Sequence, residues 1–319
     1  MLDAGNLFVY GRELNPQQQT NPEIMKKAAA RADLIAEVYG RLGAQGMAVG
    51  GSDLALGLAT LRSLAQKHRI PLLSANLQDG AGRRIFPASR MVKAGNVSFG
   101  VFGLTAFHPR WQGLAKDGKF KLGDAMAAAK TEAAALRAKG AQIVIMLAAI
   151  GNTEARRIAR ELTDIDLVFI SGTGMHMPNP ERQGSAFLVE TAREGKYIGH
   201  MTLHIRQGKL KFEDLSERYA LAENIKGMQK TLDSLQKHMP PDVAESRREW
   251  MANRISQTER SLASTKQRLH VANQIVPKES FLVSFMAPAT LTMQADPAIA
   301  ELINARAKAA GLQRPPGSH

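Results

Sequence analysis

Two glycine-rich turns carry the residue types best suited to chemistry. The first lies in GMAVGGSDLALG (residues 46–57), where an apolar strand pattern runs into Gly50-Gly51-Ser52-Asp53 and a helical pattern follows. The second, Ser171-Gly172-Thr173-Gly174, follows the apolar run DLVFI. Such turns, at helix starts or in nests, present backbone N–H groups that cradle an anion. Gly50, Gly51, Ser52, Ser171, Gly172, Thr173 and Gly174 are therefore candidate positions for weak, salt-sensitive anion binding. Ordinary tight turns capped by Ser or Asp use the same residues. Asn6 and Asp53 add oxygen donors, but two are too few for a hard cation, which takes six or more. His176, two residues beyond the second turn, and His108, in FHPRW, are isolated imidazoles, whereas a metal site needs several ligands held by supporting groups. No P-loop, dinucleotide fingerprint or Ser-His-Asp arrangement offers another chemistry, and Ser52 lacks the Gly-x-Ser-x-Gly order of a nucleophile elbow.

The elements that must position these turns alternate. NLFVY precedes a helix over residues 22–42, with Ile24, Ala28, Leu34, Ile35, Val38 and Leu42 on or near one face. The strand GMAVG leads to a helix over residues 53–68 and the short strand PLLSANL. Ala94-Gly95-Asn96 supplies turn chemistry for a hairpin between Met91-Val92 and residues 97–102. An Ala-rich helix over residues 124–139 feeds AQIVIMLAAIG, whose unbroken apolar run predicts a strand buried on both faces. A helix in NTEARRIARELTDI and further strands complete an α/β layering to about residue 220. From 222 to 272 the chain turns polar. Ile225, Met228, Leu232 and Leu235, then Met251, Ile255, Thr258, Leu262, Thr265 and Leu269, keep a 3,4 spacing around Pro240-Pro241. That pattern predicts an antiparallel helical hairpin with a coiled-coil seam. Residues 273–319 hold a strand, SFLVSFMA, and a short helix near 297–310.

The 319 residues, 44% of them hydrophobic, suffice for a full core and an appendage. No run is long and apolar enough to span a membrane, and MLDAGNLFVY lacks a signal-peptide layout. The absence of cysteine excludes disulfides, thiolate metal sites and thiol catalysis. A net charge of +13 favours anionic surroundings, but the basic residues are scattered and only 5% of residues are aromatic, which disfavours nucleic acid as a partner.

In order and spacing, LDAGNLF, MAVGGSDLALGLATLRSLAQKHRIPLLSANLQD, VSFGVFGLTA, GNTEARRIARELTDIDLVFISGTG and GKYIGHMTLHI resemble the calcineurin-like metallophosphoesterases of the 5′-nucleotidase branch, over residues 1–212. The resemblance implies a four-layer α-β-β-α sandwich of α/β class, here over residues 1–220 and extended by the hairpin and tail. It implies a site for two cations, bridged by a carboxylate and capped by imidazoles. At the positions where that family places its ligands, the bridging Asp corresponds to Asn6 and the Asn ligand to Gly51. The catalytic His corresponds to Ser52, with its partner Asp53 kept. The lone His corresponds to Ala149, and the two imidazoles of Gly-His-x-His to Gly172 and Gly174. The first Asp-x-His strand is expected upstream of Met1.

Two functions follow as expectations. The preferred one is a phosphoesterase-like pseudoenzyme without metal or other cofactor, acting as a binding or assembly module through its hairpin, with a protein partner or a second copy. The other is a divergent phosphoesterase using Mn, Zn or Fe and completed by upstream residues or a partner chain. A weaker likeness to exported proteins places the chain in the periplasm, while the sequence itself leaves the cytoplasm open.

Overall fold

The computed structural model describes residues 1–9, 14–15, 17–107, 120–192, 195–206, 211–237, 245–274, 276–288 and 296–312. The chain forms two compact units, Met1–Met177 with Glu181–Ile198 and Pro288–His319, and Pro178–Pro180 with Gly199–Ala287. His108 and Pro240-Pro241 lie outside the described residues.

The first unit is built on two sheets. One is parallel, with β1 (Leu2–Asp3), β2 (Gly46–Ala48) and β3 (Leu72–Leu73) in that order. Two short strands, β4 (Leu77–Asp79) and β7 (Phe120–Leu122), pair separately and antiparallel. The main sheet draws on β5 (Ser89–Ala94), β6 (Val97–Thr105), β8 (Ile143–Ala149), β9 (Leu167–Ile170), β10 (Glu181–Gln183) and β11 (Ala186–Val189). Its order is β10-β11-β9-β8-β6-β5, parallel across the centre with antiparallel edges at β5 and β10.

Helices α1 (Pro22–Arg41) and α2 (Leu58–His68) cover the small sheet, sharing a core of Ala28, Ala32, Leu61, Leu64, Met47 and Leu72. Helices α3 (Ala125–Ala138) and α4 (Asn152–Glu161) cover the main sheet, meeting Val144, Met146 and Ala148 of β8. The alternate residues Ile143, Ile145, Leu147 and Ala149 are buried too, on the side where β8 and β6 lie against β2. The result is an α-β-β-α sandwich, and the unbroken apolar run of β8 follows from burial on both faces. Polar side chains inside it are paired: the Thr105 hydroxyl donates to the Val49 carbonyl at 2.7 Å, and Asn76 donates to the Thr105 carbonyl at 2.8 Å.

Three local expectations are corrected. The segment after β1 is not a strand, because Asn6 turns left-handed at φ 61° and the Asn6 and Phe8 amides bond a side chain instead of a neighbouring strand. The helix expected from residue 53 breaks at Gly57, φ 83°, so a 3-10 turn (Asp53–Leu56) precedes α2. PLLSANL divides between β3 and β4, which belong to different sheets.

The second unit holds β12 (Tyr197–His204, shared at its start with the first unit), β13 (Phe212–Asp214) and β14 (Ser280–Pro288). It also holds α5 (Ser216–Lys237) and α6 (Glu245–Asn273), while α7 (Pro297–Ala309) belongs to the first unit. The boundary falls near Gly199 and not near 220, because β12 and β13 flank β14, which returns from beyond the hairpin. The expected seam residues, Ile225, Met228, Leu232 and Leu235 of α5 and Met251, Ile255, Thr258, Leu262, Thr265 and Leu269 of α6, are all buried or half-buried, as is Leu221. An Arg268–Glu217 ion pair joins the end of α6 to the start of α5, so the helices run antiparallel. Because each helix buries its single seam against the other, Leu232→Ala is expected to cost the hairpin about 2 kcal/mol. Hydrogen exchange checks this: amide protection in α5 and α6 falls while that of β8 stays unchanged.

Candidate functional site

The turns converge at the carboxyl ends of parallel strands. Asn6 follows β1, Gly50 to Asp53 follow β2, Ala149 ends β8, and Ser171 to Gly174 follow β9. Such strand ends are where open α/β sheets present binding loops. Asn6, Gly50, Gly51, Ser52, Asp53, Ser171 and Gly172 come together, with Ala149 buried beneath Gly5, where an added Cβ would lie 3.2 Å from the Ala149 methyl.

The first turn holds its own carboxylate. Asp53 is 2% exposed; its Oδ2 accepts from the Gly50 amide at 2.9 Å and the Asn6 amide at 3.0 Å, and its Oδ1 accepts from the Phe8 amide at 2.9 Å. Asn6 then fills the space between the turns. Its Oδ1 accepts from the Ser52 hydroxyl at 3.0 Å and the Ser52 amide at 3.2 Å, while its Nδ2 donates to Ser171 Oγ at 3.2 Å. The Ser171 hydroxyl in turn donates a hydrogen bond to the Ala4 carbonyl at 2.7 Å. Glycine is required around this amide: a Cβ on Gly50 would lie 2.4 Å from Asn6 Oδ1, and one on Gly51 would lie 2.2 Å from the Ala106 carbonyl oxygen.

The second turn also holds a carboxylate of the chain. The Thr173 hydroxyl lies 2.6 Å from both oxygens of Glu190, and the Gly174 amide donates to Glu190 at 3.0 Å. Glu190, 2% exposed, was not among the sequence candidates, although an acidic residue directly after the apolar run AFLV was a readable signal. The amides of Gly50, Ser52 and Gly174 and the Thr173 hydroxyl are already bonded to Asp53, Asn6 and Glu190. His176 does not join the group: it is exposed and stacks on Tyr197, ring centroids 4.2 Å apart.

Burial pushes the Asp53 carboxyl up to about 7, against the Phe8, Gly50 and Asn6 amides, which favour its charge; the charge of Asp3 adds to the rise. Asp3 is raised as well, by burial, although it accepts from the Gly5 amide at 2.8 Å and the Tyr39 hydroxyl at 3.0 Å. Burial and then the Asp3 charge push the Tyr39 hydroxyl upward.

These donors do not fit a pair of divalent cations. A bridging group must neutralise two dications, whereas Asn6 offers one neutral carbonyl oxygen, already accepting two bonds. Both Asp53 oxygens are engaged by backbone amides, and among the described residues no three His, Asp or Glu side chains gather as a ligand set.

Sequence comparison matches the chain to no protein-family profile and to no curated protein. Solved structures do match its fold. The Thermus thermophilus sulfate thiohydrolase SoxB is similar at a TM-score of 0.51 and 21% identity, covering 63% of this chain and 35% of that one. The Bacillus subtilis calcineurin-like phosphoesterase YfkN is similar at 0.51 and 19% identity, covering 65% and 72%. The Haemophilus influenzae NAD nucleotidase is similar at 0.50 and 18% identity, covering 63% and 42%. The chain therefore matches well under half the length of the thiohydrolase and of the NAD nucleotidase. The fold is the calcineurin-like phosphoesterase fold that these structures share.

The Asp53 shift has a signed consequence. With a folded value near 7 and an unfolded value near 3.9, the folded state binds more protons between those limits, so stability falls as pH rises from about 4 to about 7 and is level above. Asp53→Asn is expected to lower stability at every pH, because its amide NH₂ meets backbone donors, and to flatten this slope. Urea denaturation at pH 4.5, 6 and 8 measures both effects.

Proposed function

We propose that this chain uses the phosphoesterase fold without phosphoester hydrolysis, as a binding or assembly module of exported location. The observation that carries the reading is Asn6, which stands where the resemblance places the bridging carboxylate and is bonded to Ser52 on one side and Ser171 on the other. Hydrolysis in this fold depends on nucleophile generation. A bound cation lowers the pKa of water from 15.7 to about 7, and without one, water at neutral pH stays protonated. Ser52 is no substitute, since its hydroxyl faces the acceptors Asn6 Oδ1 and Val9 O, each at 3.0 Å, and meets no base there. The loops keep their positions through hydrogen bonds, which supports a scaffold selected for shape, and fold alone does not specify reaction.

The structural neighbours bear the names of enzymes, so the competing reading is hydrolysis at a rewired site. The test is to titrate Mn²⁺, Zn²⁺ and Fe²⁺ into the protein while following bound metal and p-nitrophenyl phosphate turnover. The expected outcome is no stoichiometric metal and no turnover, unchanged in Asn6→Asp, because ligands that act together fail together. Two tightly held ions per chain, with turnover abolished by Asp53→Ala, would overturn the proposal.

A further inference from the structure

The hairpin seam is consumed within the hairpin, so any partner of α6 must use another face. One side of α6 carries Arg247, Trp250, Arg254, Gln257, Ser261, Ser264 and Arg268, which the 3.6-residue period places in one stripe beside the seam. The stripe contains no acidic residue. The three glutamates of α6, Glu245, Glu249 and Glu259, all lie on the other side of the seam or the back of the helix. Near the base, Arg268 is satisfied by Glu217 of α5, but towards the tip no carboxylate among the described residues pairs with Arg247 or Arg254. Between those two guanidinium groups Trp250 is 60% exposed, the most exposed tryptophan or aromatic side chain among the described residues. The facing stretch of α5 offers small residues, Gly227, Thr231 and Ser234, and a Cβ added to Gly227 would meet nothing within 4 Å. By helical period, this stripe of arginines and tryptophan lies beside the small residues of α5, on the same side of the seam.

We propose that this stripe of α6 docks an acidic amphipathic helix of a partner protein. The proposal rests on the reading of the chain as a binding module and names the chemistry of what it binds. Three observations select this occupant. The stripe lies along a helix of 29 residues, about 43 Å long, a length that accepts a third helix alongside two. Its composition, tryptophan flanked by arginines, is that of interface positions where a few side chains carry most of the affinity. Its positive charge, which no carboxylate among the described residues pairs at Arg247 and Arg254, selects against a second copy of the same basic stripe and in favour of glutamate-bearing flanks. A membrane surface fits less well, because an interfacial helix presents a continuous apolar face and this stripe carries one large apolar side chain.

The test uses the full chain with Trp111→Phe, which leaves Trp250 as its sole tryptophan. The probes are a synthetic peptide of about four heptads with a leucine seam and glutamate flanks, the same peptide with lysine flanks, and phosphatidylglycerol vesicles. The expected result is a blue shift of Trp250 emission with the glutamate peptide and none with the lysine peptide. Affinity should fall about tenfold or more in Arg247→Glu/Arg254→Glu, with unchanged helix content by circular dichroism. The wild-type contrast between the two peptides stands whether or not that variant folds. No response, equal response to both peptides, or response to vesicles alone would overturn the proposal. A phosphatase assay on the same samples separates this failure from failure of the functional reading, since turnover would sink the latter and leave the peptide result untouched.

Discussion

A carboxylate buried to 2% exposure must be supplied with hydrogen-bond donors, and Asp53 obtains them from three backbone amides. One belongs to its own turn, at Gly50, and two belong to the segment after β1, at Asn6 and Phe8. That demand bends the chain away from a strand and into the left-handed turn at Asn6. The turn in turn aims the Asn6 amide between Ser52 and Ser171, so the ends of β1, β2 and β9 are fixed to one another through a single buried acid. Glu190 repeats the arrangement in the neighbouring loop through Thr173 and Gly174.

Loops in such a fold need something anionic or cationic to gather around, because converging backbone dipoles and amides are otherwise uncompensated. Here the chain provides the acceptors itself. Both oxygens of Asp53 and both of Glu190 accept from the loops, and these internal hydrogen bonds tie the strand ends together. The glycines at positions 50 and 51 are explained by close approaches, of Asn6 to Gly50 and of the Ala106 carbonyl to Gly51.

Much of this was legible in the sequence where one periodicity dominates. The apolar run of β8, the Gly95 turn between β5 and β6, and the 3,4 spacing of the hairpin all led to the observed elements. The resemblance located the turns that converge, since Asn6, Gly51, Ser52, Asp53 and Gly172 do meet. What stayed hidden depends on tertiary partners. Nothing in NLFVY signals that two of its amides serve an aspartate 45 or 47 residues away. The break at Gly57 overrides an otherwise continuous helical pattern, and the unit boundary near Gly199 is set by β14, which lies some eighty residues downstream. Glu190 carries a local signal, an acid directly after the apolar run AFLV, but its role shows only once Thr173 is placed against it.

The central claim is that internal hydrogen bonds, and not metal ions, hold the strand-end loops. Thermal unfolding of the purified chain in a chelator, and again in 1 mM Mn²⁺ or Zn²⁺, tests it most directly. If the loops are held by Asp53, Asn6 and Glu190, the midpoint is the same in all three conditions. A resident metal centre with micromolar affinity would instead add about 4 kcal/mol at that concentration, a rise of several degrees, and such a shift would contradict the claim.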